Sequence, residues 1–246
     1  MIAQDTHKNA LKPLALLAAG MSGADIERII RELRGKGRRR DDPDAPMIAW
    51  SDLEQALLDG KNLPSPAMAR RVAVHELGHA LAYETLGIAR VIHVRVGGER
   101  GGETRTRMNI EAIQTEAGMM HWTACLLAGQ AAEKLVYGSA LMGAGGTSDS
   151  DLARATSIAL DLETSFGVGV DMPLLYRSPA NSSETLLYNS ILSGRVYKRL
   201  EEAETIAHEV LARRLDFLAG LAEQLAAEIV LDGGRLRAAM ADGAAE

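Results

Sequence analysis

The chain has 246 residues, 47% of them hydrophobic and only 4% aromatic, with a formal net charge of −6. That length allows one sizeable domain plus a small one, and the acidic balance argues against a nucleic-acid partner. The single Cys125 excludes an intramolecular disulfide framework and a cysteine-built metal site. In chain order, residues 1–20 contain the apolar run "LALLAAG". It is too short to span a membrane and lacks a processing pattern, so the expectation is a cytoplasmic protein with no membrane span in this chain.

"MSGADIERIIREL" then opens with a capping box, Ser22 as N-cap and Asp25 three residues on. Ile26, Ile29, Ile30 and Leu33 continue it as an apolar helical stripe. A second box, Ser51 and Glu54 in "WSDLEQALL", predicts another short helix. Between the two runs "RGKGRRRDDPDAPM", whose five basic residues are immediately neutralised by three acidic ones. It reads as a solvated loop, and a basic stretch without aromatics does not make a nucleic-acid site. "NLPSPAMARR", with Pro64 and Pro66, is the expected linker between these first helices and the larger remainder of the chain.

"VAVHELGHAL" at 72–81 carries the chemistry. His75 and His79 are four apart, so on a helix they share one face and can chelate one metal ion. Glu76 sits about 100° round the helix, placed to reach a water on that metal without being a ligand. Gly78 costs a helix about 1 kcal/mol relative to alanine. In so alanine-rich a chain it signals the close approach of another backbone or of substrate. A hydrolytic metal site wants a third protein ligand and an open fourth position. Glu84 is too close along the same helix and points away. His93, His121, Glu133, Asp149, Asp151 and Asp161 remain as candidates.

"RVIHVRV" at 90–96 alternates as a strand, and "GGETRTRM" at 101–108 is expected to pair with it in one small sheet beside the motif helix. An edge strand there can bind an extended peptide through main-chain hydrogen bonds, with little regard for its sequence. The plainer reading is a surface ribbon over the core. His93 in the strand and His121 beside Trp122 read as structural histidines. In "GAGGTSDSDLARATSIAL", Thr147, Ser148 and Asp149 read as N-cap chemistry for a helix with Leu152, Ala155, Thr156 and Ala159 on one face. Glu133 in "QAAEK" is either a carboxylate that orients a ligand histidine or a solvated helix residue.

Four ordered blocks, "HELGH", "AGQAAEKLVYG" at 128–138, "GGTSDSDLARAT" at 145–156 and the helical pair ending in "LDG" at 195–233, resemble the zinc-peptidase domain of FtsH-type AAA+ proteases. The resemblance implies a mainly α fold with a small β-hairpin. It implies Zn2+ held by His75, His79 and Asp151, with Glu76 as general base. Asp151 follows from the match of "S-D-L" to that family's "N-D-L" element. The helices of residues 1–63 resemble the end of an AAA+ lid, and 64–246 the peptidase domain. No G-x-x-x-x-G-K-[ST] phosphate loop occurs in these residues, so ATP hydrolysis by them is not expected. The expected activity is zinc metalloendopeptidase cleavage of unfolded polypeptide, in a homo-oligomer (a hexamer by resemblance), with an AAA+ ATPase acting in trans. The alternative is a non-catalytic or motor-dependent interaction module of such a protease ring.

Overall fold

The computed structural model describes residues 11, 14–18, 21–39, 46–58, 63–97, 101–177 and 182–243. Of the stretch 34–47 expected as a loop, residues 34–37 instead continue the first helix, and residues 40–45 fall outside the described residues.

Helix α1 spans Gly23–Gly37 and begins with the expected reciprocal box. The Asp25 amide donates to Ser22 Oγ at 3.2 Å, and the Ser22 amide donates to Asp25 Oδ2 at 3.0 Å. Ile29 and Leu33 of its stripe are buried, while Ile26 stays exposed. Helix α2 spans Trp50–Leu58, and its expected Ser51 box does not form. The turn starts earlier: the Ala49 amide donates to Asp52 Oδ2 at 3.0 Å, which leaves Ser51 inside the helix. Leu14, Leu17, Ile29, Leu33 and Leu57 form a small core of their own, joined by Val230 from far down the chain.

Helix α3, Pro66–Thr85, runs through the main core. Ser65 caps it, and Pro66 occupies the first turn, where its missing N–H costs nothing. From Ala73 to Tyr83 nearly every residue is buried, as for a helix apolar all round. Gly87, at φ 68°, turns the chain into strand β1, Ala89–Val96. β1 pairs antiparallel with β2, Gly102–Met108, with a bulge between Val91 and His93. A third strand, β3 at Val230–Asp232, pairs antiparallel on the other side, giving the order β2-β1-β3. Three residues between two helices carry no periodicity, so β3 has no sequence signature.

Helix α4, Glu116–Tyr137, is capped by Thr115 and closed by Gly138 in the left-handed region. It lies against α3 at Gly78, where a Cβ would stand 2.6 Å from the Ala128 carbonyl oxygen and 2.6 Å from Ala132 Cβ. The approaching backbone that Gly78 signals is therefore α4. Helix α5, Asp151–Thr164, buries Ala155, Ile158, Ala159 and Leu162, whereas Leu152 is exposed. Of the expected face, Ala155 and Ala159 are buried, while Leu152 lies in the first turn, after the Ser150 N-cap. Helices α6 (Ser182–Tyr188), α7 (Ser190–Ala212), α8 (Leu215–Glu228) and α9 (Gly233–Asp242) complete the described residues. Leu77, Leu81, Leu126, Leu162, Leu211 and Leu218 fill the common core.

Candidate metal centre

One helix and the start of another meet at the motif. His75 and His79 project from α3, and Asp151 projects from the first turn of α5. Nε2 of His75 and Nε2 of His79 are 3.1 Å apart. Asp151 Oδ2 stands 3.2 Å from His79 Nε2 and 3.7 Å from His75 Nε2. A zinc ion bound tetrahedrally at about 2.0–2.1 Å keeps its ligand atoms roughly 3.3 Å from one another. The three donors fit that spacing, and two imidazoles with a carboxylate suit such an ion. Among the described residues this is the one cluster of three such side chains.

Each imidazole is aimed by its other nitrogen. His79 Nδ1 lies 2.8 Å from the Cys125 carbonyl oxygen, which can only accept, so the proton is on Nδ1 and Nε2 faces the cluster. His75 Nδ1 lies 2.8 Å from Glu133 Oε1. Glu133 is buried and fully engaged, accepting also from the Leu141 amide at 2.9 Å and from Arg71 Nη2 at 3.4 Å. Burial alone would raise its pKa, but these donors hold it below the usual carboxylate value. Of the two readings left open by the sequence, Glu133 is thus the carboxylate against a histidine. The Arg71 guanidinium in turn lies over the Tyr137 ring at 4.7 Å and donates to the Ser139 carbonyl at 2.7 Å.

The electrostatics are those of a cation site. Burial opposes a charge on His75, yet Asp151 and Glu133 outweigh it and raise the pKa to about 9. Asp151 is lowered: burial works against ionisation, and the two histidines overcome it. The cluster thus attracts a proton wherever no metal competes for it. Glu76 is raised, chiefly by burial.

The remaining candidates lie elsewhere. His93 sits in β1, 3.9 Å from Glu103 Oε2, and His121 is half-buried on α4. Asp161 interacts with Ser165 near the end of α5. Glu84 accepts from the Val91 amide and from Arg237 Nη1, both at 2.7 Å. Asp149 accepts from Thr147 Oγ1 at 2.7 Å and lines the cleft, while Ser150 is the residue that caps α5.

Sequence reasoning passed over three neighbours. Gly129 of α4 lies against both rings: a Cβ there would be 2.4 Å from His79 Nε2 and 2.6 Å from His75 Nε2. Its signal was the one noted at Gly78, a glycine inside an alanine-rich helix. Thr104 of β2 donates toward Glu76, with Oγ1 2.7 Å from Oε2. A Cβ on Gly102 would be 2.7 Å from Glu76 Oε1. A cleft of about 640 Å³ opens over the cluster, between the start of α3, β2 and the loop before α5, with Arg71, Tyr83 and Arg154 on its walls.

The sequence pattern of peptidase family M41 matches residues 63–238. The chain is 30% identical over 242 residues to the ATP-dependent zinc metalloprotease FtsH 3 of Sphaerobacter thermophilus, covering 93% of this chain and 47% of that protein. It is 30% identical over 246 residues to the ATP-dependent zinc metalloprotease FtsH of Thermobaculum terrenum, covering 92% and 38%. With the ATP-dependent zinc metalloprotease FtsH of Syntrophus aciditrophicus the identity is 32% over 177 residues, covering 69% and 24%. The chain thus spans between about a quarter and a half of the length of these relatives.

Proposed function

The chain belongs to peptidase family M41, and on that premise we propose that it is a zinc metalloendopeptidase cutting unfolded polypeptide. The observation that carries this reading is the convergence of His75, His79 and Asp151 within bonding distance of one ion, with Glu76 beside them in an open cleft. The three FtsH relatives are zinc metalloproteases by name, and the donor set suits that metal. Bound zinc would supply a Lewis acid that acidifies a water and polarises the scissile carbonyl.

The chain's own residues do the rest. His75, His79 and Asp151 would hold the ion, and Glu133 and the Cys125 carbonyl lock the two ring orientations. Glu76, made more basic by burial, takes a proton from the attacking water and returns it to the departing amine. The substrate backbone would lie along β2, the outer strand that borders the cleft, whose main chain can pair with an extended peptide of almost any sequence. That suits unfolded polypeptide.

The test is cleavage of a permanently unfolded protein by zinc-loaded enzyme without ATP, with Glu76→Gln alongside. We expect parental cleavage and a loss of about 10²–10⁴-fold in the variant at unchanged zinc content. Equal rates would remove Glu76 as the base. Absence of cleavage by zinc-loaded parent would favour the alternative, a non-catalytic or motor-dependent interaction module of a protease ring.

The same reading assigns residues 1–63 to a lid-like helical unit and 64–246 to the peptidase unit. It gives these residues no nucleotide hydrolysis of their own, since no phosphate loop is present in them. Unfolding work would then come from an AAA+ ATPase in trans or from residues outside this sequence. Assembly into a homo-oligomer, a hexamer by resemblance, and a cytoplasmic location belong to the proposal too. Among the described residues no helix is long and apolar enough to cross a membrane.

A further inference from the structure

Resting on the reading of Glu76 as general base, we propose that Thr104 of β2 is a positioning residue that fixes which oxygen of Glu76 does the proton transfer. The geometry is specific. Thr104 Oγ1 lies 2.7 Å from Glu76 Oε2 and 2.8 Å from the Glu76 main-chain oxygen. One hydroxyl has one proton, so it serves one of these acceptors at a time. While Glu76 is ionised the charged oxygen is the stronger acceptor and holds the proton. Oε2 is then the oxygen whose charge the hydroxyl already shares, and Oε1 is the more basic one, assigned to take the proton from water. Once Glu76 is protonated, its pull on the hydroxyl weakens, and the main-chain oxygen stands ready as the second partner. The water's proton enters and leaves Glu76 at Oε1, and Thr104 keeps its own proton throughout.

The surroundings leave the carboxylate little freedom to swing. A Cβ on Gly102 would stand 2.7 Å from Glu76 Oε1, 2.7 Å from its Cγ and 2.6 Å from Val72 Cγ1. The start of β2 therefore runs close to the same side chain that Thr104 grips two residues later, with no room for a side chain between them. β2 is also an outer strand of the sheet. A peptide adding to it would be held by the same strand that aims the base. Substrate backbone and catalytic carboxylate share one rigid reference, which is what a near-attack geometry needs.

The experiment compares Thr104→Val, which keeps the shape and removes the hydroxyl, with Thr104→Ser, which keeps the hydroxyl. Both are assayed zinc-loaded on an unfolded protein beside the parent and Glu76→Gln, with zinc content and thermal unfolding measured on each. We expect Thr104→Val to lower kcat by about 10–100-fold. Its KM, zinc content and unfolding temperature should stay parental, and Thr104→Ser should restore most of kcat. Parental kcat in Thr104→Val would overturn the proposal. So would a Thr104→Ser variant as slow as Thr104→Val, because the methyl packing would then be what matters. Glu76→Gln separates the two levels. If it is inactive while Thr104→Val is parental, only the role of Thr104 falls. If it is fully active, the reading of Glu76 falls and takes this one with it.

Discussion

His75 is where one residue's chemistry sets a measurable property of the whole chain. Its Nε2 faces His79 and Asp151, and its Nδ1 faces Glu133, so carboxylates lie on both sides of the ring. Burial opposes charging, but those carboxylates raise its pKa to about 9. An unfolded histidine titrates near about 6.5. The folded value is the higher, so the stabilisation from this proton is complete below about 6.5 and is lost as pH rises through about 9. Metal-free protein should accordingly unfold at lower temperature as pH rises across that window. Zinc needs the neutral ring, so its affinity should climb over the same range by roughly tenfold per unit while one proton is displaced. Thermal unfolding with chelator, paired with zinc competition titrations between pH 6.5 and 9, checks both. A metal-free stability that climbed with pH would mean that the two carboxylates do not hold that proton.

At the scale of elements, two glycines decide how closely α3 and α4 can approach, with different consequences. Gly78 admits the Ala128 carbonyl and Ala132, a contact between backbones that lies inside the core. Gly129 admits the ends of both ligand histidines. Gly129→Ala would place a methyl carbon 2.4 Å from His79 Nε2, so the rings must turn away or the helices part. We expect zinc affinity to fall by at least the roughly 10–100-fold seen when a ligand loses its support. The helical circular dichroism should persist, because the exchange favours helix. Gly78→Ala should instead cost about 1–3 kcal/mol of stability by overpacking. Zinc titration and denaturant unfolding of the two variants distinguish a site defect from a core defect. If Gly129→Ala bound zinc like the parent, the close approach would not limit the site. Legibility differs along these elements. The i, i+4 histidines were visible because a helix alone brings them together. The capping serine at 51 misled, because Asp52 captures the Ala49 amide and α2 starts two residues early. Thr104 and Gly129 left almost no local trace, since what they touch lies on another element.

For the molecule as a whole, the surface after α5 is the feature that most needs covering. Val170, Leu174, Tyr176, Leu187, Tyr188 and Ile191 are each at least 70% exposed. The segment that carries the first three is tied down: Arg195 of α7 pairs with Asp171 at 3.5 Å, and the Arg177 amide donates to the Thr164 carbonyl at 2.9 Å. Soluble monomers rarely display apolar patches beyond a few hundred Å². The exposure supports the proposed association between copies. Leu174→Glu combined with Tyr188→Glu should lower the assembly state in sedimentation velocity at micromolar concentration and leave zinc binding intact. An unchanged sedimentation coefficient would place the contacts elsewhere. The small N-terminal core reaches the rest of the chain through Val230, so β3 bonds to β1 while its first residue packs with α1 and α2.

The sequence by itself determined the helical class, the two pairing strands, the motif helix and the identity of its two histidines and glutamate. All of these are local: a helix of 3.6 residues per turn or a strand of period two translates spacing directly into geometry. The third donor was one of six candidates by residue chemistry, and resemblance alone pointed to Asp151. Only the tertiary structure brought its carboxylate to within 3.7 Å of both imidazoles, across more than seventy residues. It also decided that Glu133 faces His75, that Thr104 grips Glu76 and that β3 joins the sheet beside β1. These depend on how helices and strands pack, and a packing contact between distant segments has no period to read.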